Sequence, residues 1–409
     1  MSRRPFAVVT GGGTGGHVSP ALAVGDALVA SGVERSEVLF VGGRRGMESR
    51  LVPAAGYQLV QLPGRGIQRK LTRENLGAVL GLGASVFLAL GMALRQRPHV
   101  VVTVGGYAGF AYALAAVVLR IPLVVVTIDA APGAVNRLVG RFASVNAVAY
   151  PGVLLPRTEV TGPPVRGSVL AVSRDGEARR RVREQLGFDP GRRLVVVTGG
   201  SLGAGSVNEA ALALAELWLA RDDVAIYHLA GERNIEEMTR AATERRLIGP
   251  TGAGSETLQA PPAVPVGGSP GGSGPEHRLE YRLAGFDPEL AAAVAACDVV
   301  VCRAGASTVA ELTAIGAPSV LVPLPGAPGD HQTKNAVALE QAGAAVMIRD
   351  RELSGDRLAG TLERLLEDEA VLSTMSEAAR ALGHRDAAAR VADLARRAAG
   401  ATTRSRSAA

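Results

Sequence analysis

Cysteine is almost absent from this chain of 409 residues, the two present being Cys297 and Cys302. They flank a valine run that reads as a strand, and their spacing puts the two side chains on opposite faces, beyond bridging distance. With no second pair and no histidine cluster, neither a disulfide framework nor a zinc site is expected, so the composition points to a reduced, cytoplasmic protein. Aromatic residues are scarce at 3%, so the core has to be built from Val, Leu, Ile and Ala. Lysine is nearly missing too. Apart from Lys70 and Lys334 the basicity is carried by arginine, and the formal net charge is +6. No aromatics are interleaved with the basic residues and no nucleic-acid motif occurs, so nucleic acid is not an expected partner. The stretch Met1-Ser2-Arg3-Arg4-Pro5 enters a short strand directly and does not read as a signal peptide.

What the chain has in quantity is glycine, and its placement is informative. Val8-Val9-Thr10-Gly11-Gly12-Gly13-Thr14-Gly15-Gly16-His17 is echoed in the second half by Val196-Val197-Thr198-Gly199-Gly200-Ser201-Leu202-Gly203-Ala204-Gly205. Each copy is a β-branched run, a glycine cluster and then a helical pattern, Ala21 to Ala30 and Val207 to Ala220. A buried strand, a glycine turn and a helix start bring backbone N–H groups and a positive dipole end to one point, which suits a phosphate. Two such units predict an α/β protein of two Rossmann-like, doubly wound parallel-sheet domains with a phosphorylated ligand in the cleft between them. Runs such as Leu194-Val195-Val196-Val197 and Asp298-Val299-Val300-Val301 fit parallel strands covered on both faces.

The alternation predicts strands near 6–10, 37–42, 58–62, 99–104, 122–127 and 146–149, and again near 194–198, 224–229, 280–284, 298–302, 319–323 and 345–348. Thr161-Gly162-Pro163-Pro164-Val165-Arg166 breaks the pattern between them. The expected domains are therefore 1–163 and 164–380, followed by a helix at 381–400 that packs back on the first domain. Residues 249–276, rich in Gly, Pro, Ser and Ala, read as a flexible insertion, and 401–409 as a disordered tail.

Leu76 to Leu94 carries no charge and is flanked by Arg65, Arg69, Lys70 and Arg73 on one side and Arg95 and Arg97 on the other. Its length meets the test for a membrane span. Its glycines, and its position inside a strand–helix alternation, favour instead a mostly buried helix whose exposed part rests on an anionic membrane surface.

Gly11, Gly13 and Gly16 also satisfy the dinucleotide pattern G-x-G-x-x-G, which is weak alone. That reading wants an acidic residue at the tip of the second strand, and Glu37 to Val41 ends in Gly42-Gly43-Arg44-Arg45-Gly46. An NADP-binding oxidoreductase using Arg44 and Arg45 stays as the alternative from a different class.

A third glycine turn, Cys302-Arg303-Ala304-Gly305-Ala306-Ser307-Thr308, precedes Glu311. Ser307 or Thr308 can cap the next helix with Glu311 on its first turn, or Glu311 can accept a bidentate pair of hydrogen bonds from a ribose diol. Asp330-His331-Gln332-Thr333-Lys334-Asn335 is a polar cluster suited to sugar hydroxyls, and Arg166 could reach a diphosphate.

Taken together, these segments resemble the MurG-type N-acetylglucosaminyltransferases. The resemblance is carried by Gly11 to His17 with Pro20-Ala21-Leu22-Ala23, Gly105-Gly106-Tyr107, Thr161 to Arg166, Gly199 to Ala204, Cys302 to Thr308 with Glu311-Leu312, and Asp330-His331-Gln332 with Asn335-Ala336. These run in the family's order over nearly the whole chain, apart from 249–276. The resemblance implies a two-domain GT-B fold and inverting transfer of GlcNAc from UDP-GlcNAc to the C4 hydroxyl of the muramyl sugar of lipid I, giving lipid II. No metal or other cofactor is implied. The setting would be peripheral, on the cytoplasmic face of the cell membrane, with other cell-wall synthesis proteins as further partners. The second domain would bind the donor through Arg166, Ser201, Asn208, Arg303, Ala306, Ser307, Thr308, Glu311, His331 and Gln332, with Phe286 flanking uracil. The first would hold the acceptor and its pyrophosphate through Thr14, Gly15, Gly16, His17, Gly105, Gly106, Tyr107 and Asn136.

The chain departs from the family at one place. The family's His-Glu-x-Asn reads Val126-Thr127-Ile128-Asp129 here, just before an intact Pro132-Gly133-Ala134-Val135-Asn136-Arg137. The expected catalytic residues are His17, Asp129 and Tyr107, with Asp129 as base or as partner of His17, and His17 alone as the rival. A GT-B enzyme acting on another lipid, such as diacylglycerol, and an inactive sugar-nucleotide- or lipid-binding homologue are the remaining alternatives.

Overall fold

The computed structural model describes residues 4–12, 15–44, 46–63, 73–200, 203–248 and 278–407. Thr14, Ser201, the basic residues Arg65, Arg69 and Lys70, and the segment 249–276 lie outside them. The backbone at positions 73–80, 107, 108, 328 and 402–407 is described, but not the side chains.

The chain divides into two compact units, Met1–Gly167 with His384–Ala409, and Ser168–Gly383. In the first unit the order is β1 (Ala7–Gly11), α1 (Gly15–Ala30), β2 (Val38–Gly43), α2 (Glu48–Ala54), β3 (Gln58–Leu62), α3 (Arg73–Gln96), β4 (Val100–Gly105), α4 (Gly106–Val118), β5 (Leu123–Thr127), α5 (Ala134–Val139), β6 (Val145–Val148) and β7 (Thr158–Val160). After the short α6 (Gly167–Leu170), the second unit runs α7 (Gly176–Gln185), β8 (Arg193–Thr198), α8 (Gly205–Leu217), β9 (Val224–Leu229), α9 (Ile235–Glu244), β10 (Glu280–Ala284), α10 (Leu290–Ala296), β11 (Val299–Cys302), α11 (Ala306–Ile315), β12 (Ser319–Leu321), α12 (His331–Gln341), β13 (Ala345–Met347), α13 (Gly355–Leu366) and α14 (Glu369–Leu382). The last helix, α15 (Ala387–Ser407), belongs to the first unit and packs on α1, β4, β5 and β6.

Both sheets are parallel and doubly wound, ordered β3-β2-β1-β4-β5-β6-β7 and β10-β9-β8-β11-β12-β13. The valine runs explain this. Val195, Val196 and Val197 are all fully buried, as are Val100, Val101 and Val102, which requires helices on both faces. In each sheet the order reverses between the first strand and the fourth, where a ligand crevice forms at the strands' carboxyl ends. The four turns at those two points are the glycine turns after β1, β4, β8 and β11.

Two expectations need correction. Composition read 401–409 as disordered, whereas α15 continues to Ser407 because its apolar face, including Val391, Leu394, Ala395 and Ala399, is buried against the first unit. The short edge strand β7 was not among the expected strands. Its three residues are all exposed, so it lacks the buried valine run that marks the central strands.

Candidate active site

In the first unit the carboxyl ends of β1, β4, β5 and β6 gather the expected acceptor residues along one edge. His17 is the third residue of α1 and half-buried, while Gly15 and Gly16 form the helix start. The Gly105–Gly106 turn has φ of 92° and 74°, a region that favours glycine. A Cβ on Gly106 would stand 2.5 Å from the Gly12 carbonyl oxygen, so the turn lies directly against the first glycine loop. Tyr107 occupies the first turn of α4.

Asn136 was expected to touch the acceptor. It is 5% exposed, and its Nδ2 donates to the Val126 carbonyl at 3.0 Å and the Thr127 hydroxyl at 3.1 Å. Its Oδ1 is buried without a hydrogen-bond partner, 2.7 Å from where a Gly105 Cβ would be. Asn136 thus staples the end of β5 and forces the glycine at 105.

Asp129 stands two residues beyond β5. Register pairs Thr127 with Val148 on β6, which sets Asp129 beside Tyr150 at the sheet edge. Burial, and the Asp129 charge after it, push the Tyr150 phenol up to about 12. Tyr150 therefore stays protonated at neutral pH and can donate to a carboxylate. Sequence reasoning missed it. Position alone marks it, one strand over from the residue that departs from the family pattern.

Glu48 was missed as well. The second strand was read as having no carboxylate at its tip, yet Glu48 Oε1 accepts from the Gly43 N–H at 2.7 Å, supplied from the first turn of α2. Three glycines, Gly12, Gly42 and Gly46, surround that side chain. Such glycine spacing around an acidic residue was the available signal.

In the second unit, Gly200 has φ 83° and its N–H bonds the Thr198 hydroxyl at 3.1 Å, just as Gly105 N–H bonds Thr103 at 3.2 Å in the first. Asn208, expected to touch the donor, is fully buried below the loop. Its Nδ2 donates to the Ala230 carbonyl at 3.0 Å, so its Oδ1 accepts from His228 Nε2 at 3.1 Å. His228 Nδ1 then accepts from the Tyr281 hydroxyl at 2.7 Å. Complete burial pushes the imidazole down to about 3, which keeps it neutral, and the Asn208 Oδ1 acceptor then sets this tautomer. Asn234 Nδ2 donates to the same Ala230 carbonyl, and both groups press on Gly203 (φ 73°). The relay shapes the second glycine loop from beneath.

Arg303 is similarly engaged, donating from Nη1 to Asp350 at 2.5 Å and from Nη2 to Ser206 at 2.9 Å. Ser206 closes the triangle on Asp350 at 2.6 Å. This binds the third glycine turn to the start of α8. The N-cap of α11 is Gly305, which has no side chain to offer, and Glu311 is the sixth helical residue, beyond the first turn. Starting the helix at Ala306 moves the half-buried Glu311 away from the N-terminal donors, so the capping-box alternative fails. Ser307 and Thr308 are half-buried in the first turn, and Ala306 is 6% exposed. Gln332 Oε1 accepts from Leu324 N–H at 3.0 Å, tying the start of α12 to the loop after β12, with the half-buried His331 beside it. Phe286, 37% exposed, sits just beyond β10. Arg166 belongs to the first unit, next to its boundary.

Away from the site, α3 buries Ser85, Ala89 and Ala93 and leaves Phe87 (79% exposed), Leu88 and Leu94 to solvent. No helix among the described residues is long and apolar enough to cross a membrane.

Comparison with known proteins adds to this geometry. Residues 7–148 match the glycosyltransferase family 28 N-terminal domain and 194–391 its C-terminal domain. The UDP-N-acetylglucosamine–N-acetylmuramyl-(pentapeptide) pyrophosphoryl-undecaprenol N-acetylglucosamine transferase of Desulforudis audaxviator is 36% identical over 97% of this chain and 99% of its own length. The Alkalilimnicola ehrlichii protein of the same name is 39% identical over 94% and 96%. Among solved structures, MurG of Acinetobacter baumannii superposes with a TM-score of 0.66 at 26% identity, covering 96% of this chain and all of that one. A kitacinnamycin glycosyltransferase, 17% identical with a TM-score of 0.64 over 97% of this chain and 99% of that one, shares the fold.

Proposed function

The chain belongs to glycosyltransferase family 28, and on that premise we propose that it transfers GlcNAc from UDP-GlcNAc to lipid I, forming lipid II in peptidoglycan synthesis. The observation that carries this is similarity over essentially full length to transferases of that name, with both sheets ending in glycine turns at their switch points. The same similarity removes the oxidoreductase alternative.

The second unit is the donor side. Helix starts at α8 and α11 direct backbone N–H groups and positive dipole ends toward a diphosphate. Glu311 accepts the ribose hydroxyls, Gln332 and His331 face the sugar, and Phe286 flanks uracil. In the first unit the C4 hydroxyl of the muramyl sugar attacks C1 of GlcNAc from the face opposite UDP, inverting that centre. Its proton passes to Asp129, held by the Tyr150 hydroxyl, or to His17, and UDP departs with its charge matched by the helix starts. The exposed Phe87, Leu88 and Leu94, with the flanking arginines, rest on the anionic cytoplasmic surface of the membrane, where a polyprenyl-linked acceptor is found.

Incubation with radiolabelled UDP-GlcNAc and, separately, lipid I or diacylglycerol tests the assignment. Label should enter only the lipid I product. Label in diacylglycerol alone would assign the enzyme to another lipid, and binding of UDP with no transfer to either would leave an inactive homologue.

A further inference from the structure

We infer that Glu48 is a positioning residue for the glycine loop that follows β1. Its side chain is 1% exposed, an unfavourable place for a carboxylate unless backbone donors hold it there. Oε1 accepts from the Gly43 N–H at 2.7 Å, at the tip of β2. On its other side the carboxylate meets the root of the first glycine loop, where a Cβ on Gly12 would lie 2.5 Å from Oε1. A Cβ on Gly42 would lie 2.6 Å from Glu48 Cγ, and one on Gly46 would collide with the carboxylate itself. One acidic side chain therefore requires glycine at three positions drawn from two separate turns.

Gly12 is trapped between that carboxylate and the Gly105–Gly106 turn, whose second glycine stands against the Gly12 carbonyl. The root of the loop cannot shift without moving one of them. His17 and the first N–H groups of α1 follow within one short glycine segment, so their aim depends on where Glu48 holds Gly12. Glu48 touches neither substrate. It acts through the loop, and its effect falls on whatever that loop binds, which under the reading above is lipid I.

Two variants approach the contact from different sides. Glu48→Gln keeps the volume and an acceptor for Gly43 but places N–H donors among crowded glycine backbone. Gly42→Ala leaves the charge and the loop intact and displaces Glu48 from the β2 side. Each should lower kcat/KM for lipid I by about 10- to 100-fold, the worth of a charge-assisted hydrogen bond, while KM for UDP-GlcNAc stays within about 2-fold of wild type. In the pair Gly42→Ala with Glu48→Ala the two effects should not add, because the alanine methyl acts only by displacing Glu48.

A core-filling role would lower the melting temperature and leave the kinetics of the folded enzyme unchanged. Wild-type kcat/KM for both lipid I and UDP-GlcNAc in Glu48→Gln overturns the inference, and if that variant does not fold, wild-type values for both substrates in Gly42→Ala do so. Should the donor KM rise instead while lipid I kinetics hold, Glu48 still positions the loop, and the acceptor assignment of the first unit is what falls.

Discussion

The two sheets share a strand order, and a Thr-x-Gly device recurs where a strand feeds a glycine turn, Thr103 to Gly105 in one and Thr198 to Gly200 in the other. Around that common frame the two units differ in what backs the loops. Beneath the second loop lies a neutral, fully paired relay of Tyr281, His228 and Asn208, with Arg303 and Asp350 clamping the neighbouring turn. Beneath the first lies the single carboxylate Glu48, and at the edge stand groups able to move a proton, His17 and Asp129 with Tyr150. The surfaces differ in degree, since Phe87 (79%), Phe142 (63%) and Leu154 (93%) on the first unit are more exposed than any large hydrophobic residue described on the second, where Leu217 reaches 53%. A duplicated topology thus supplies two edges with glycine turns at the strands' carboxyl ends, and under the proposed function the side chains around each suit one to the nucleotide donor and the other to the acceptor.

The contrast breaks most sharply at Asp129. Asp129→Asn restores the family's residue, and kcat should fall about 100-fold or more with donor KM unchanged if the carboxylate takes the proton. An active variant would return that role to His17. On the other edge, Glu311→Ala should raise KM for UDP-GlcNAc by roughly 30- to 100-fold, equivalent to about 2–3 kcal/mol for a bidentate charged interaction with the ribose. Undiminished UDP affinity in the purified variant would show that Glu311 serves only its helix.

The surface difference predicts a smaller effect. Wild-type protein should sediment with anionic vesicles at low salt and be released at high salt, and Phe87→Ser should weaken that association by about 10-fold, at the low end for one buried aromatic side chain. Equal sedimentation of both proteins would move the contact away from α3. The mildest expectation concerns His228. Its folded value near 3 lies below the ordinary imidazole range, so the unfolded chain binds a proton that the native protein does not. Stability is therefore complete above about pH 6.5 and declines by about 1.4 kcal/mol per unit as the pH falls toward 3. Thermal melts of wild type and His228→Gln between pH 7 and 5 should differ in slope by that one proton. Parallel slopes would mean that His228 is protonated in the folded state.

Much of this architecture is readable from residue pattern. The strand–helix alternation announced twelve strands to within a few residues, most plainly where continuous valine runs are buried on both faces, because such a strand has almost no freedom of composition. The exposed strand β7 carries no such constraint and escaped notice. The site was legible wherever glycine marked a forced turn. Less visible were the residues that hold those turns, since nothing in the sequence shows that Asn136, Asn208 and Arg303 are also engaged with backbone and neighbouring side chains.

By itself, then, the sequence determined the parallel sheets, the phosphate-type turns and the family, all of which depend on local periodicity and short-range spacing. Only the tertiary structure decided that Glu48 fills the tip of β2, that Tyr150 stands beside Asp129, that His228 is a neutral link between β10 and α8, and that the chain's end is a helix buried on the first unit. Each of these depends on strands or helices distant in sequence arriving side by side. Polar and charged residues carry no periodic signal that says which partner will satisfy them, and their roles emerge only once burial removes water as the alternative.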